Sequence, residues 1–412
     1  MTYPLTHENA LQVVLKAGRI LLESGSEIYR VEQTMGYLAR SLQLKQFEAY
    51  VISNGIMASA TNPNGQQEAL ILTVYDQQTN LGKLEAVNTL SRQLVQKEHI
   101  VLADVSERLD QIDRMTQPSF PAHLLTYFIG AGSFSLALGS SLSDALAAAL
   151  TGLFLGLVLR LLKPFIHTGF LLTIIGSSAA TLSVNMLHLL GLGEHRSLIL
   201  LGALMMLVPG AIFTNAVREL SQNNFTTGVS LLMSSLLICS SISAGVVIMT
   251  SVLPFASTLT QYFPDATAEP LMLFLRTLMA GLGTVAFAVL YRVPRFYYKN
   301  LGILGSLSWF FYLILDYSFH IDGLAVFLPC LLIAILSRFL AARRKCPITI
   351  FLATSMVPLI PGLSLYRAVY FLLTGSEKLA AEHLRSCFIT AFMIALAISI
   401  AQQIPKRFFH RT

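Results

Sequence analysis

The chain contains the segment Leu207-Val208-Pro209-Gly210 at the end of one hydrophobic stretch, and the similar segment Leu359-Ile360-Pro361-Gly362 at the end of another, 152 residues later. Each copy continues into a further match, Ala216-Val217 in the first and Ala368-Val369 in the second. Proline lacks the amide hydrogen and glycine adds backbone freedom, so both residues interrupt helices. In a lipid bilayer, a backbone group released from a helix costs several kcal/mol unless protein or water satisfies it. The two copies therefore predict a duplicated membrane domain with a polar site where its helices are interrupted.

The composition divides the chain into a soluble part and a membrane part. Of the 412 residues, 54% are hydrophobic and only 12% are charged, which is atypical of a soluble protein. Residues 1–117 contain 23 of the 50 charged residues and carry a net charge of −3, whereas residues 118–412 carry +9. The excess of Lys and Arg lies at the ends of apolar segments, which is typical of cytoplasmic loops and argues against nucleic-acid binding.

Residues 1–117 are predicted to form a soluble α+β domain with the element order ααβββαα. Periodicity predicts helices over 7–23, 28–42, 81–97 and 101–112, and strands over 47–53, 57–62 and 69–75. Glu27, Tyr29, Arg30 and Glu32 crowd the start of the second helix, where a solvated and well-capped face is the expected explanation. The four cysteines are scattered and no metal-ligand spacing is present, so neither a metal nor a cofactor is expected.

The rest of the chain is predicted to be a polytopic α-helical membrane domain of about ten transmembrane helices. Apolar stretches, most of them near the ~20 residues that a spanning helix needs, fall at 121–140, 143–162, 169–192, 197–215, 227–250, 271–290, 301–317, 321–340, 347–373 and 385–402. Five belong to a first repeat over 118–252 and five to a second over 268–405. Two tandem units with an odd number of spans lie in opposite orientations, which is the inverted-repeat architecture of secondary transporters.

Loop charges predict the orientation of these repeats in the bilayer. With residues 1–117 in the cytoplasm, 13 Lys and Arg residues lie on the inner side, against five in or near the outer half. Both termini are therefore predicted to be cytoplasmic. Three acids at loop edges are expected to be solvated: Asp144, Asp316 and Asp322.

Four segments resemble the threonine/serine exporter family. Ser24–Met35 looks like part of its N-terminal domain, and Val208–Leu220 resembles its membrane motif. Leu290–Arg295 and Ile360–Arg367 are similar to a smaller partner subunit that is a separate chain in some bacteria and here is fused. The chain departs from the usual pattern at Ile212-Phe213 and at Glu219, changes that bear on pocket shape. The resemblance implies a secondary exporter of threonine and serine in the bacterial cytoplasmic membrane, driven by the proton motive force. Export of dicarboxylates such as succinate is the alternative that the resemblance leaves open.

The predicted substrate site lies where helices restart after the two breaks. Helix N-termini carry free N–H groups that suit a carboxylate. Because an amino acid has a different charge at each end, we expect Arg367 to bind the carboxylate, and Thr214 and Asn215 to serve the ammonium or hydroxyl. The alternative is that Thr214 and Asn215 only cap the broken helix, while Arg367 extends to the outer surface. The predicted substrate-binding residues are Pro209, Gly210, Thr214, Asn215, Pro361, Gly362, Tyr366 and Arg367.

A polar line on one helix face and one acid are the candidates for proton coupling. Ser178, Thr181, Asn185 and His188 follow at helical spacing and are expected to line a polar cavity. A histidine titrates near neutral pH, so His188 is a candidate relay; its alternative is a place near the outer interface, where loop carbonyls satisfy it. Glu219 is the other candidate, and its alternative is an ion pair with a basic loop residue.

Other functional classes receive less support from the sequence. A membrane-embedded enzyme needs a nucleophile with a base or a metal set such as HExxH, and neither pattern is present. A channel or a membrane-anchored sensor remains open, although an inverted duplication favours alternating access. A homo-oligomer is also open. The expected partners are the small-molecule substrate, protons and the lipid bilayer.

Overall fold

The computed structural model describes residues 9–62, 65–74, 78–96, 99–115, 118–253, 270–319 and 322–405. Its first seven elements are α1 (Ala10–Glu23), α2 (Ile28–Ser41), β1 (Lys45–Ile52), β2 (Gly55–Thr61), β3 (Gln67–Thr73), α3 (Leu81–Val95) and α4 (Leu102–Asp113). This order of two helices, three strands and two helices confirms the predicted one for the described residues. The predicted bounds at residues 7, 75, 97, 117 and 268 lie outside the described residues, as do both termini.

Helix α1 forms the centre of the N-terminal core. Asn9 caps it by accepting a hydrogen bond from the Leu11 N–H, and the helix packs against α2, α3, α4, β2 and β3. The sheet is antiparallel with the order β1-β2-β3. Ile56 pairs with Val51 on one side and with Leu72 on the other, and the apolar side chains at these paired positions belong to the core. One face of the sheet is thus covered by helices.

The remaining elements are helical and form a multi-pass membrane protein. They are α5 (Phe120–Ala137), α6 (Leu142–Leu162), α7 (Gly169–Leu189), α8 (Arg196–Leu204), α9 (Gly210–Ser221), α10 (Phe225–Val252), α11 (Pro270–Leu290), α12 (Tyr298–Phe319), α13 (Asp322–Arg344), α14 (Thr349–Ser355), α15 (Gly362–Leu373) and α16 (Glu377–Gln403). Among the described residues, six helices are long and apolar enough to cross a membrane, and two bent helix pairs raise that number to eight. Helices α5 and α12 fall on the two other predicted spans but carry several polar residues, so the number of ten stays a prediction.

The duplication seen in the sequence recurs in the element boundaries. Helices α9 and α15 begin 152 residues apart and have the same length, and α10 and α16 also begin 152 residues apart. A short 3₁₀ turn precedes each break, over 205–207 in the first copy and 357–359 in the second. Both halves therefore contain the same local structure, whereas their opposite orientation in the bilayer stays a prediction.

Close helix contacts join the two halves. Arg276 on α11 and Trp309 on α12 both donate hydrogen bonds to the carbonyl of Ala137, at 3.0 and 3.1 Å, which satisfies the end of α5. Within the first half, a Cβ on Gly152 would lie 2.4 Å from the Tyr127 carbonyl oxygen. Glycine is required there for packing, as a small-residue motif in a membrane helix predicts.

Candidate functional site

Both predicted helix interruptions are present, and they have nearly the same geometry. Val208 (φ −61°, ψ 128°) and Ile360 (φ −70°, ψ 133°) are extended. A residue before proline avoids the helical region because the ring crowds its backbone, and proline follows in both cases. The helix then restarts at Gly210 or Gly362. In the first copy the chain bends by 59° between Leu207 and Gly210, whereas in the second it bends by 42° earlier, between Ser355 and Val357.

The two breaks lie against each other. A Cβ built on Gly362 would lie 2.0 Å from Cγ1 of Val208, and one built on Gly210 would lie 3.1 Å from Cδ1 of Ile360. Each restarting helix thus meets the residue before the proline of the other copy. Glycine is needed at Gly362 because any side chain would overlap Val208.

The N-terminus of α9 already has partners for some of its backbone donors. The Gly210 N–H donates to the Val208 carbonyl at 2.8 Å, and the Ala211 N–H donates to the Tyr291 hydroxyl at 3.3 Å. Tyr291 follows the last residue of α11, so the second half of the chain supplies this cap. The Tyr291 hydroxyl lies where a bound anion at α9 would compete for the Ala211 N–H.

The predicted polar residues of the first copy point to two different neighbours. The Thr214 hydroxyl donates to the Gly210 carbonyl at 2.9 Å within its own helix. Asn215 Nδ2 donates to the Gly25 carbonyl of the N-terminal domain at 3.0 Å. Asn215 Oδ1 is buried and makes no hydrogen bond within the described part of the chain. Asn215 therefore lies where α9 meets the segment between α1 and α2.

The predicted residues of the second copy have a more aromatic environment. Tyr366 is fully buried, and its carbonyl accepts a hydrogen bond from Ser243 of α10 at 3.0 Å. Its ring lies 6.1 Å from that of Tyr370, and its hydroxyl is buried without a hydrogen-bond partner in the described ranges. Arg367 is half-buried on the same helix. Among the described residues, Tyr366 makes no hydrogen bond to the N-terminal domain.

The two candidates for proton coupling lie at opposite ends of the α8–α9 segment. Glu219, near the end of α9, accepts hydrogen bonds from the Ile28 N–H at 2.8 Å and from Asn224 Nδ2 at 2.7 Å. His188, near the end of α7 and thus close to the start of α8, has its Nδ1 3.0 Å from the Gly193 carbonyl. The contact of His188 with a loop carbonyl matches the alternative considered above. Glu219 thus bonds to a side-chain amide and to a backbone N–H. These contacts do not include the ion pair with a basic loop residue that was the alternative for Glu219.

The predicted polar line on α7 faces protein. The Ser178 hydroxyl donates to the Gly245 carbonyl of α10 at 2.9 Å, and the Thr181 hydroxyl donates to the Ser177 carbonyl at 2.8 Å. Asn185 Oδ1 accepts from Arg196 Nη1 at 3.3 Å. The Ser178 bond joins α7 to α10 and the Asn185 bond joins α7 to the start of α8, whereas the Thr181 bond lies within α7. The role of the line as a cavity wall stays a prediction.

Sequence reasoning missed a buried charge cluster between the two domains. Glu27 was expected on a solvated face, but it is 1% exposed and forms an ion pair with Arg218 of α9, which is also 1% exposed. Thr349, the first residue of α14, donates its hydroxyl to Glu27 Oε1 at 2.6 Å. The prediction was wrong because helical periodicity shows which face of α2 is polar, but not that another domain covers it. The only available signal was that Glu27 and Arg218 lie within two of the segments that carry the family resemblance.

The charge of Glu27 is maintained by its neighbours. Burial by itself raises the pKa of the Glu27 carboxyl, but the guanidinium groups of Arg218 and Arg30 outweigh it, so the pKa lies below its ordinary value. Burial, with a smaller effect from the Glu27 charge, raises the pKa of Tyr29 to about 12. An ionised Glu27 beside a protonated Tyr29 is therefore the state of this interface at neutral pH.

A second correction concerns Asp144, which was expected to be solvated. It is completely buried, and its Oδ1 accepts from the N–H groups of Glu194 at 2.7 Å and His195 at 3.1 Å. Its Oδ2 lies 2.9 Å from His195 Nδ1. Asp144 therefore fastens the loop between α7 and α8 to the start of α6. Sequence position next to a loop did not reveal this, because the partners are mainly backbone groups.

A groove of about 440 Å³ lies away from the predicted substrate residues. It runs between α5 and α11 and is lined by Ile129, Val285, Arg292 and Arg295, among others. None of the residues predicted to bind substrate lines it. Among the described residues, no cluster of His, Cys, Asp and Glu has the arrangement of a metal site.

Comparisons with known proteins cover nearly the whole chain. A family model described as putative threonine/serine exporter matches residues 12–253, and a second, described as threonine/serine exporter, matches residues 276–404. A probable threonine/serine exporter from Mycobacterium tuberculosis is 21% identical over 87% of this chain and 69% of its own length. A threonine/serine exporter from Corynebacterium glutamicum is 22% identical over 80% of this chain and 68% of its own length. No solved structure matches the chain.

Proposed function

Because the chain belongs to the family described as putative threonine/serine exporters, we propose that it carries threonine and serine out of the cell across the bacterial cytoplasmic membrane. The family names indicate a transporter rather than an enzyme. In this proposal residues 1–117 are cytoplasmic, residues 118–252 and 268–405 form two inverted five-helix repeats, and both termini are inside.

The contact between the two helix breaks is the observation that supports this function best. In transporters built from inverted repeats, substrate binds near the middle of the membrane, at discontinuous helices where the repeats meet. Here the two interrupted helices touch through Gly362 and Val208. The same crossing places a bend of one repeat beside a bend of the other, so that movement of either repeat alters the space between them.

The residues around this crossing supply unlike chemistry for the two ends of an amino acid. Thr214 and Asn215 of α9 correspond to Tyr366 and Arg367 of α15 at an offset of 152 residues. We expect Arg367 to bind the carboxylate through paired hydrogen bonds, and Asn215 and Thr214 to serve the ammonium and hydroxyl groups. Pro209, Gly210, Pro361 and Gly362 shape the backbone of the site.

The proton motive force is the proposed energy source. Glu219 is the stronger candidate for coupling, because its carboxylate lies at the junction of the N-terminal domain and α9. His188 is the weaker one, because a loop carbonyl already occupies its Nδ1. If protons drive export, efflux of threonine stops when a protonophore collapses the gradient; passive flow through a channel continues.

Efflux from proteoliposomes tests the substrate. Vesicles containing the full chain are loaded with threonine, serine or succinate, and the loss of each compound is followed with and without an imposed proton gradient. We expect threonine and serine to leave faster than from protein-free vesicles, and succinate to stay. Efflux of succinate with retention of both amino acids contradicts the proposal.

A pair of arginine variants tests the carboxylate site. Arg367→Gln removes a half-buried guanidinium from α15, whereas Arg385→Gln removes an exposed one from α16. Loss of a charge-assisted pair in the site is expected to lower the efflux rate about tenfold or more. Arg385→Gln is the control and should leave efflux unchanged. Normal efflux by Arg367→Gln at equal membrane levels rules out the role of Arg367.

A further inference from the structure

The buried cluster at the domain interface contains a carboxylate held by residues of the membrane domain. Arg218 of α9 and Thr349 of α14 come from different halves of the chain, and both contact Glu27 Oε1 of the N-terminal domain. Arg218 Nη1 also donates to the Thr349 hydroxyl at 3.4 Å. Each of the three residues is at most 1% exposed. A guanidinium and a hydroxyl directed at one carboxylate are the chemistry expected of a carboxylate receptor.

The segment that delivers Glu27 is held by its backbone as well. The Ile28 N–H, at the first position of α2, donates to Glu219, and the Gly25 carbonyl accepts from Asn215. Glu27 is the N-cap residue of α2, yet its side chain makes no capping bond and reaches Arg218 instead. Glu219 thus replaces the missing cap from across the interface. Residues 25–28 therefore lie alongside α9 and contact the side of that helix that carries Asn215, Arg218 and Glu219.

Polar atoms in this interface are left without partners. Arg218 Nε, Ser26 Oγ and Asn215 Oδ1 are buried and make no hydrogen bond within the described ranges. Glu27 Oε2 and Arg30 Nε also lack a hydrogen bond there, but they face each other at 3.9 Å as an ion pair. Buried polar atoms almost always have a partner, so the other three atoms call for an explanation. Arg218 Nε can only donate, Ser26 Oγ can do either, and Asn215 Oδ1 can only accept. A zwitterion supplies both kinds of partner, a carboxylate for the donors and an ammonium for the acceptor.

We infer that Arg218 and Thr349 form an entry site for the carboxylate of the transported amino acid, separate from the proposed site at Arg367 and occupied before it, and that Glu27 fills this entry site while the N-terminal domain is docked. This inference rests on the proposed function, because it takes an amino acid as the substrate. Asn215 lies one turn before Arg218 on α9 and receives the ammonium group. The Glu27 side chain then acts as an internal competitor, and the amino acid enters only when that carboxylate leaves Arg218.

The stability contributed by a buried ion pair distinguishes this interface from one that only holds the N-terminal domain in place. A buried ion pair is no more stabilising than well-packed hydrophobic residues of similar size, because both charges lose their hydration. Docking alone therefore does not require Glu27 and Arg218. A receptor for a free carboxylate does require a buried cation, and the docked domain must then provide an anion so that this cation is not left unpaired.

Two nearly isosteric variants distinguish a binding site for the substrate from an interface that only holds the N-terminal domain in place. Glu27→Gln removes the competing charge but keeps the side-chain shape, whereas Thr349→Val removes a hydroxyl from the receptor. We expect Glu27→Gln to lower the KM for threonine efflux about tenfold, because a larger fraction of the protein is then competent to bind. We expect Thr349→Val, made in the Glu27→Gln background so that the competing charge is absent, to raise the KM about tenfold relative to Glu27→Gln, because the substrate loses a hydrogen bond.

The inference is tested by whether the two KM values shift in opposite directions. If both residues serve only to dock the N-terminal domain, each variant weakens docking and the two KM values move in the same direction. Shifts in the same direction, or no shift in either variant, overturn the inference. Thr354→Val is the matched control, since Thr354 is buried on the same helix and, within the described ranges, its hydroxyl bonds to the Ile350 carbonyl at 3.0 Å and to nothing else. Its KM should equal that of the wild type.

Failure of the proposed function gives a different result. If the wild-type protein moves neither threonine nor serine in loaded proteoliposomes, the assignment of substrate is wrong before any variant is made. If the wild type exports threonine and the two variants shift KM together, only the receptor role of Arg218 and Thr349 is wrong.

Discussion

Helices α9 and α15 have the same backbone but different surroundings. Both contain 12 residues, both start at a glycine after a proline, and both lie at the same place in their half of the chain. Helix α9 carries Arg218 and Glu219 where α15 carries Tyr370 and Phe371. The first pair holds residues 27 and 28 of the N-terminal domain. The Tyr370 ring instead lies tilted beside Tyr366, and the Phe371 ring stacks on His383.

The difference indicates that duplication preserved the break and diversified the side chains beyond it. The break depends on local chemistry, a proline that fixes the preceding residue and a glycine that permits close approach. The side chains one to two turns later depend on what lies next to them. One helix end meets a folded domain, and the other is exposed at Leu372 and Leu373. The charged end of α9 is thus a feature of the covered side of the molecule.

The largest effect is expected from removing the charge that α9 has and α15 lacks. Arg218→Ala leaves the buried Glu27 carboxylate without its closest cation, with only Arg30 at 3.9 Å as a charged partner among the described residues, and breaking a buried ion pair typically costs about 3–5 kcal/mol. The docked domain should loosen, and hydrogen-exchange protection of residues 25–31 should fall by about 100-fold or more. Mass spectrometry of that peptide measures it, with the N-terminal half of α1 as an internal reference.

The corresponding position of α15 is the control for this comparison. Tyr370→Ala changes a half-buried side chain at the position equivalent to Arg218. Because α15 does not hold the segment 25–28 through any described hydrogen bond, protection of residues 25–31 should not change. An equal loss in both variants means that the docking depends on the whole membrane domain rather than on the end of α9.

A smaller effect is expected at the two helix breaks, because less space surrounds Gly362 than Gly210. Gly362→Ala places a methyl group 2.0 Å from Val208, a short branched side chain that cannot move aside, whereas Gly210→Ala meets Ile360 at 3.1 Å. Overpacking of this kind costs about 1–3 kcal/mol, so Gly362→Ala should lower the thermal unfolding midpoint and the efflux rate more than Gly210→Ala does. Gly169→Ala, which has open space around its Cβ, is the control. Equal midpoints for Gly362→Ala and Gly169→Ala contradict the close crossing.

Much of the fold can be predicted from the sequence, because the patterns that indicate it are formed by neighbouring residues. The two breaks follow from Pro209 and Pro361, and the order of elements in the N-terminal domain follows from apolar periodicity. Each signal is contained in a few neighbouring residues, so no knowledge of distant contacts is needed. The number of membrane-spanning helices is harder to predict from the sequence, because α5 and α12 contain polar as well as apolar residues and the fold accommodates the polar ones by packing.

The candidate site is less accessible because its partners are far apart in the chain. Glu27 and Arg218 are 191 residues apart, and Thr349 lies in the other half. Polar residues such as Asp144 and Glu219 bind backbone N–H groups, which no side-chain pattern reveals. A charge at a helix end or loop edge was therefore interpreted as solvated, whereas burial by another element decides its role.

A still smaller effect is expected from the uncharged contact of α9. Asn215→Ala removes the hydrogen bond to the Gly25 carbonyl, and a single bond of this kind contributes about 0.5–1.5 kcal/mol. Protection of residues 25–31 should fall by roughly tenfold or less. The same exchange experiment measures it, and Arg367→Ala at the corresponding position of α15 should leave the peptide unchanged. A loss as large as that of Arg218→Ala indicates that the backbone contact, and not the ion pair, dominates docking.

The smallest effect is expected from changing pH within the neutral range. The pKa of Glu27 lies below its ordinary value of 4.5, because the guanidinium groups of Arg218 and Arg30 outweigh burial. A carboxyl whose pKa is lowered on folding stabilises the docked state above its unfolded pKa, and this contribution is lost as the pH falls through the lower, folded pKa. Protection factors of residues 25–31, corrected for intrinsic exchange, should therefore be constant from about pH 8 to about pH 6 and fall only in acid.

The other carboxylate at this interface is Glu219, and the phenol of Tyr29, with a pKa of about 12, stays protonated throughout this range. Glu27→Gln should remove most of the acid-induced loss, and Glu219→Gln is the matched variant, which should retain that loss. Because an ion pair with a depressed pKa is insensitive to neutral pH, a loss of protection centred between about pH 6 and 8 means that another group controls docking.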